Sequence, residues 1–185
     1  METEKLISSI NRIAWSSIFL FLDVNINGIS LLPAFVGYLM ILSAIDGLEP
    51  RVREITLLKP LAGMLALWYG ADWLVSFAGI DLDNSLFIVS LLMTVVSVYF
   101  YFQLMSDMAM IAREVQHQGA TTDRKILMYR NVQLIVTTIS SLIAYFTGTG
   151  PLTGVPGVAA VFLVLVMAIS CIGIICALFE LRKQI

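Results

Sequence analysis

Apolar and polar positions alternate along this chain on the scale of whole membrane crossings. A helix needs roughly 20 apolar residues to cross about 30 Å of hydrocarbon, and it satisfies its own backbone hydrogen bonds while doing so. Six stretches meet or approach that length: residues 6–22, 29–45, 61–80, 85–106, 126–147 and 158–179. The second, fourth and sixth carry no charge, and the third holds one, Asp72. Arg12 interrupts the first, and the fifth reaches its length by letting Arg130 snorkel to the interface. Pro33, Pro60 and Pro156 fall near expected helix starts, where a missing N–H costs little, and Pro50 and Pro151 fall in connections. The pattern predicts an all-α integral membrane protein, a bundle of six transmembrane helices forming one domain over residues 1–185.

Residues 1–30 have a rival reading as a secretory signal, with Lys5 and Arg12 ahead of an apolar run. No small-x-small cleavage site follows, so a short first helix is preferred, and a re-entrant pair with 29–45 stays open as an alternative. Composition supports lipid as the main solvent. Hydrophobic residues make up 59% and charged residues 13%, against roughly 25% charged in a soluble domain. Mean hydropathy is +0.91.

Charge placement adds an orientation. All 11 Lys and Arg residues fall in the N-terminus, residues 46–60, residues 107–131, the C-terminal tail or at Arg12, which six crossings put on one side. The opposite connections, 23–28, 81–84 and 148–157, contain none. By the positive-inside rule both termini are expected to be cytoplasmic.

Candidate chemistry is sparser. Asp72 is an ionisable group inside an expected span, which makes it a functional hypothesis by default. Trp68, Tyr69, Asp72 and Ser76 share its helix face, while Ala62, Ala66 and Gly70 form a small-residue stripe suited to close packing. The fourth span carries Ser90, Thr94, Ser97 and Tyr101 on one stripe, and the fifth carries Gln133, Thr137 and Ser140. Such hydroxyl stripes either glue helices or line a wet path. Asp72 with Trp68, Tyr69 and Ser76, facing Ser90 and Thr94, is the expected solute or cation site, opening outward. The bland alternative leaves Asp72 at the interface, bonded to a hydroxyl or water.

Residues 23–28 match the opening of a calcium loop, with Asp23, Asn25 and Asn27 at alternate positions and Gly28 at the turn. Ala34 stands where the bidentate Glu belongs, so Asp81 or Asp83 would have to complete the site. The alternative is plain turn chemistry, Asn27-Gly28 making the turn and Ser30 capping the next helix. Two cysteines and one histidine exclude a zinc site built from Cys and His of a single chain. There is no Gly-x-Ser-x-Gly, His-Glu-x-x-His or phosphate-binding loop, so no enzyme and no cofactor is expected. Nothing points to nucleic acid.

The run Phe21-Leu22-Asp23-x-Asn25, followed by Leu32-Pro33-x-Phe35-x-Gly37-Tyr38, resembles the opening of a group of small bacterial multispan membrane proteins without an assigned activity. The chain departs from that group at Ala34, where an acidic residue is more usual. The resemblance implies a bacterial plasma membrane. In length and helix count the chain is also similar to the substrate-binding membrane subunits of vitamin importers. The expected function is therefore a solute- or ion-binding protein of transport type. The alternative is a non-catalytic partner subunit or regulator, docking another membrane protein or a second copy of itself through Ala62/Ala66/Gly70 and Gly173/Ala177; a third reading is an extracytoplasmic calcium-responsive protein.

Overall fold

A computed structural model describes residues 2–21, 25–26, 29–30, 32–79, 82–116, 120–147 and 155–185. Long apolar runs with few breakers leave the helix as the backbone's way of satisfying itself, and the described residues are almost wholly helical. Six long helices run as α1 (Glu2–Phe21), α2 (Ala34–Leu48), α3 (Leu58–Ser76), α5 (Phe87–Val115), α6 (Thr122–Thr147) and α7 (Val155–Lys183), with a single-turn α4 (Leu82–Ser85). A 3-10 turn, Arg53–Leu57, leads into α3. Three helices are long and apolar enough to cross a membrane: Phe87–Val115, Thr122–Ile143 and Gly157–Lys183. The helix α2 is apolar but shorter, at 15 residues, which spans about 22 Å at 1.5 Å per residue.

Each long helix packs on the next one along the chain, and α1 packs on α7, so the six close into a ring. The thinnest seam is between α3 and α5. Glycine decides two of the close approaches. A Cβ at Gly37 would stand 3.0 Å from the Ser16 carbonyl oxygen and the Leu20 side chain, and one at Gly47 would run into the Ser9 hydroxyl. Both permit α1 and α2 to pack tightly. On the other side of the ring, Gly173 of α7 receives the Tyr129 ring of α6.

The apolar core lies toward the end of the bundle that carries both termini. It joins Leu6, Ile10 and Ile13 of α1 to Ile45 and Leu48 of α2, and Leu104 and Met108 of α5 to Leu178 and Leu181 of α7. A polar collar ties the same end together. Lys59 meets Asp46 at 2.6 Å, Lys125 meets Glu180 at 2.8 Å, and Arg51 meets Glu114 at 3.8 Å. Arg182 donates to Asn11 at 2.8 Å and Arg12 to the Ser43 hydroxyl at 3.3 Å, closing the α1–α7 and α1–α2 seams. The hydrogen bond to Asp46 holds the Lys59 ammonium above its usual range. Exposed pairs of this kind contribute little, so packing of the core side chains holds this end of the bundle.

Away from this end the helices turn apolar side chains outward. Ile88 is 80% exposed, Leu67 77% and Val158 72%. A continuous apolar exterior on this scale marks contact with something other than water.

Several local expectations are corrected. The second helix starts at Ala34 rather than residue 29, because Asn25–Ile26 and Ile29–Ser30 pair as a short antiparallel hairpin. Ser30 is thus in a strand, and Pro33 is the N-cap of α2, with no side-chain bond to the helix. The fourth long helix does not stop at residue 106 but continues to Val115, carrying Asp107 inside it. The helix α3 ends at Ser76, and Gly79 follows at φ 70°, a conformation that glycine adopts without strain. The small-residue faces are spent inside the bundle. Ala62 and Ala66 are buried core, a Cβ on Gly70 would touch Phe35, and Ala177 is buried beside Gly173.

Candidate functional site

The ring holds a half-open cavity of about 220 Å³, and every one of the six long helices lines it. The end of α1 gives Leu20 and Phe21, and the start of α2 gives Ala34 and Tyr38. Tyr69 comes from α3, Ser97, Val98, Tyr101 and Phe102 from α5, Arg130, Gln133, Leu134 and Thr137 from α6, and Met167 from α7. The contributions from α5 and α6 follow helical spacing. Positions 97, 98, 101 and 102, and then 130, 133, 134 and 137, each present one face. The cavity lies immediately beyond the packed core, at the level where α5 passes from buried Phe100 and Leu104 to its outward-facing part.

Aromatic rings make its walls. Tyr38 is buried, stacks on Tyr69 at 5.4 Å between centroids, and meets Phe100 edge-on at 5.6 Å. Phe21 meets Tyr101 edge-on at 4.9 Å. Offset and edge-on ring pairs add about 0.5–1.5 kcal/mol beyond their burial, which fixes the positions of the tyrosine hydroxyls. Arg130 lies over Phe102, 4.1 Å from guanidinium carbon to ring centroid. It donates to the Ser106 hydroxyl at 2.7 Å and twice to Asn131 Oδ1, at 3.1 and 2.7 Å. All three bonds go to neutral acceptors, and among the described residues no carboxylate pairs with it.

Two polar atoms at the cavity lack a well-aligned protein partner. Gln133, 2% exposed, donates through Nε2 to Cys171 Sγ at 3.0 Å, leaving its buried Oε1 without a donor. The buried Tyr101 hydroxyl lies beside the Gln133 side chain and makes no well-aligned hydrogen bond among the described residues. Buried polar atoms are satisfied in the great majority of cases, and an exception calls for an explanation such as a water or a ligand.

The sequence-based site is distributed differently. Of its six residues, Tyr69 lines the cavity; Trp68, Asp72, Ser76, Ser90 and Thr94 are not among the lining residues. Asp72 is half-buried, closer to the far end of α3. Ser76 donates to the Trp73 carbonyl at 2.7 Å and Thr94 to the Ser90 carbonyl at 3.0 Å, so both hydroxyl protons stay within their own helices. The hydroxyl stripes meet at their other ends: Ser97 and Tyr101 of one face Gln133 and Thr137 of the other across the cavity. Ser140 is exposed.

The calcium candidates Asp23, Asn27 and Asp81 lie outside the described residues, as do the side chains of Asn25 and Asp83. Among the described residues no group of three or more His, Cys, Asp or Glu side chains is placed to hold a metal.

Two residues were missed. Arg130 read as an interface anchor, although it continues the Gln133/Thr137 stripe one turn earlier. Asp107 read as lying beyond its span, yet it is 1% exposed within the core, with Oδ1 bonded to Gln103 Nε2 at 2.9 Å and Oδ2 without a partner. Its spacing of four from Gln103 was the available signal.

Fold and site together define a predominantly helical chain with, among the described residues, three helices able to cross a membrane and a mostly apolar cavity with a few polar groups inside its ring. The chain matches no family model, no curated protein and no solved structure.

Proposed function

We propose that this chain is a multi-pass plasma-membrane protein whose six long helices all cross, with both termini cytoplasmic, and that it binds a small solute in the central cavity as a transport-type protein without chemically converting it. The observation that carries this reading is that all six helices contribute to one cavity containing unsatisfied polar atoms. A bundle built for packing alone would fill that space with side chains. The orientation rests on the placement of the 11 basic residues. The three shorter or more polar helices cross by packing into the ring, where polar positions are shielded from lipid.

Size limits the solute. At 220 Å³ the cavity falls below the about 300–1,000 Å³ of drug-sized ligand sites. That favours a metabolite of a few carbon atoms over the larger cargo of the vitamin importers. The partner-subunit alternative is weakened by the internal use of both small-residue faces.

The test is thermal stability of the purified protein across a panel of small anions, cations and neutral solutes. A ligand at a hundred times its dissociation constant stabilises by about 2.7 kcal/mol. Thr137→Phe, which fills the cavity, is expected to abolish any shift, while Asp72→Asn leaves it. The opposite result would return the site to Asp72, Trp68, Ser76, Ser90 and Thr94.

A further inference from the structure

The charge on Arg130 has no counter-ion within the described protein. A guanidinium has five N–H donors; three are used on the neutral oxygens of Ser106 and Asn131, leaving two. Stacking on Phe102 removes water from one face of the group. A cation partly withdrawn from water and bonded only to neutral acceptors is stabilised most by an anion, and guanidinium geometry suits an acid group taken through paired N–H bonds. Three residues further along the same helix face, Gln133 Oε1 is buried and has no donor. An anion there would repel that oxygen unless a donor met it, either the ligand's own or the neighbouring Tyr101 hydroxyl. That hydroxyl, without a well-aligned bond of its own among the described residues, can also serve the ligand as donor or acceptor.

We infer that the cavity binds a small anion carrying an O–H or N–H beside its acid group. The acid group would lie on Arg130 and the adjacent donor on Gln133 Oε1. Hydroxy- and amino-carboxylates fit this description, as does the headgroup of a phosphatidylglycerol, a phosphodiester with hydroxyls nearby. The inference rests on the solute-cavity reading and narrows it to a ligand class.

The experiment is calorimetric titration of the full chain in phosphatidylcholine nanodiscs with lactate, glycine and propionate, and with glycerol and choline as uncharged and cationic controls. Melting is measured in parallel in phosphatidylcholine and phosphatidylglycerol nanodiscs. Lactate is expected to bind several-fold more tightly than propionate, which lacks the donor, and Gln133→Leu is expected to erase that difference. Arg130→Gln should weaken lactate roughly ten- to hundredfold, the value of a charge-assisted bond, and Arg130→Lys should retain part of the affinity in an equally stable protein. If no free solute binds but phosphatidylglycerol raises the melting temperature in an Arg130-dependent way, the anion is a lipid headgroup and the inference holds. Glycerol or choline binding that Thr137→Phe removes and Arg130→Gln leaves untouched would overturn the inference and keep the solute cavity. No binding and no lipid dependence would overturn both.

Discussion

Asp107 and Gln103 form a polar pair inside the bundle, a buried carboxylate with a single bonded oxygen on a helix otherwise packed by Leu104, Met105 and Met108. Hydrogen bonds to charged groups contribute about 1.5–3 kcal/mol, more than neutral ones. Gln103→Leu is therefore expected to cost about that much, read as a lower melting temperature. In an Asp107→Asn background the same substitution should cost about 0.5–1.5 kcal/mol, because the bond it removes is then between neutral groups. Equal losses in the two backgrounds would show that Asp107 carries no charge in the folded protein or draws its support elsewhere. Arg130 presents the complementary case, a cation whose described bonds all go to neutral oxygens.

At the level of elements, side-chain volume at the glycines controls which helices can meet. Gly47 and Gly173 lie against Ser9 and Tyr129 with no room for a Cβ, whereas nothing lies within 4 Å of a Cβ built on Gly63. Gly47→Val and Gly173→Val are expected to destabilise by about 1–3 kcal/mol, the usual cost of overpacking. Gly63→Ala should be neutral, or stabilising by up to about 1 kcal/mol through helix propensity. A melting series that ranks the three otherwise would contradict the α1–α2 and α6–α7 packing.

Much of this level was legible in the sequence. Runs of uncharged residues located all six long helices, and Pro33, Pro60 and Pro156 fall at helix starts because only there is a missing N–H cheap. The start of α2 was not legible. An apolar stretch reads alike as helix or strand, and the pairing of Asn25 with Ser30 draws residues 29 and 30 into a hairpin. The hydroxyl stripes were visible by spacing, but a helical wheel does not say which stripes face each other. That is settled by the ring order, in which α5 packs on α6 and only thinly on α3. Tyr101 therefore looks toward Gln133, and Ser90 and Thr94 do not join the cavity. Arg130 was assigned to the interface from its position near a span end, a rule that ignores the shared face with Gln133 and Thr137.

For the molecule as a whole, one end is closed by core and collar, and the cavity sits beyond that plug within the ring. The apolar exteriors of α5, α6 and α7 suit a non-aqueous surrounding, and buried oxygens without partners at the cavity call for a water or a ligand. Under the proposed function the bundle separates a lipid-facing outside from a hydrated centre. Water access to the cavity in the membrane tests this most directly. Cysteine is introduced at Ser97, on the cavity wall, in a chain carrying Cys171→Ser, which keeps an acceptor for Gln133, and Cys176→Ser. Leu92→Cys in the same background reports the exposed outer face of α5. A water-soluble thiol reagent is expected to label Ser97→Cys at least tenfold faster than Leu92→Cys in intact membranes, with Thr137→Phe abolishing the difference. Equal and slow labelling at both positions would show a dry, lipid-sealed centre and contradict a solute cavity in this ring.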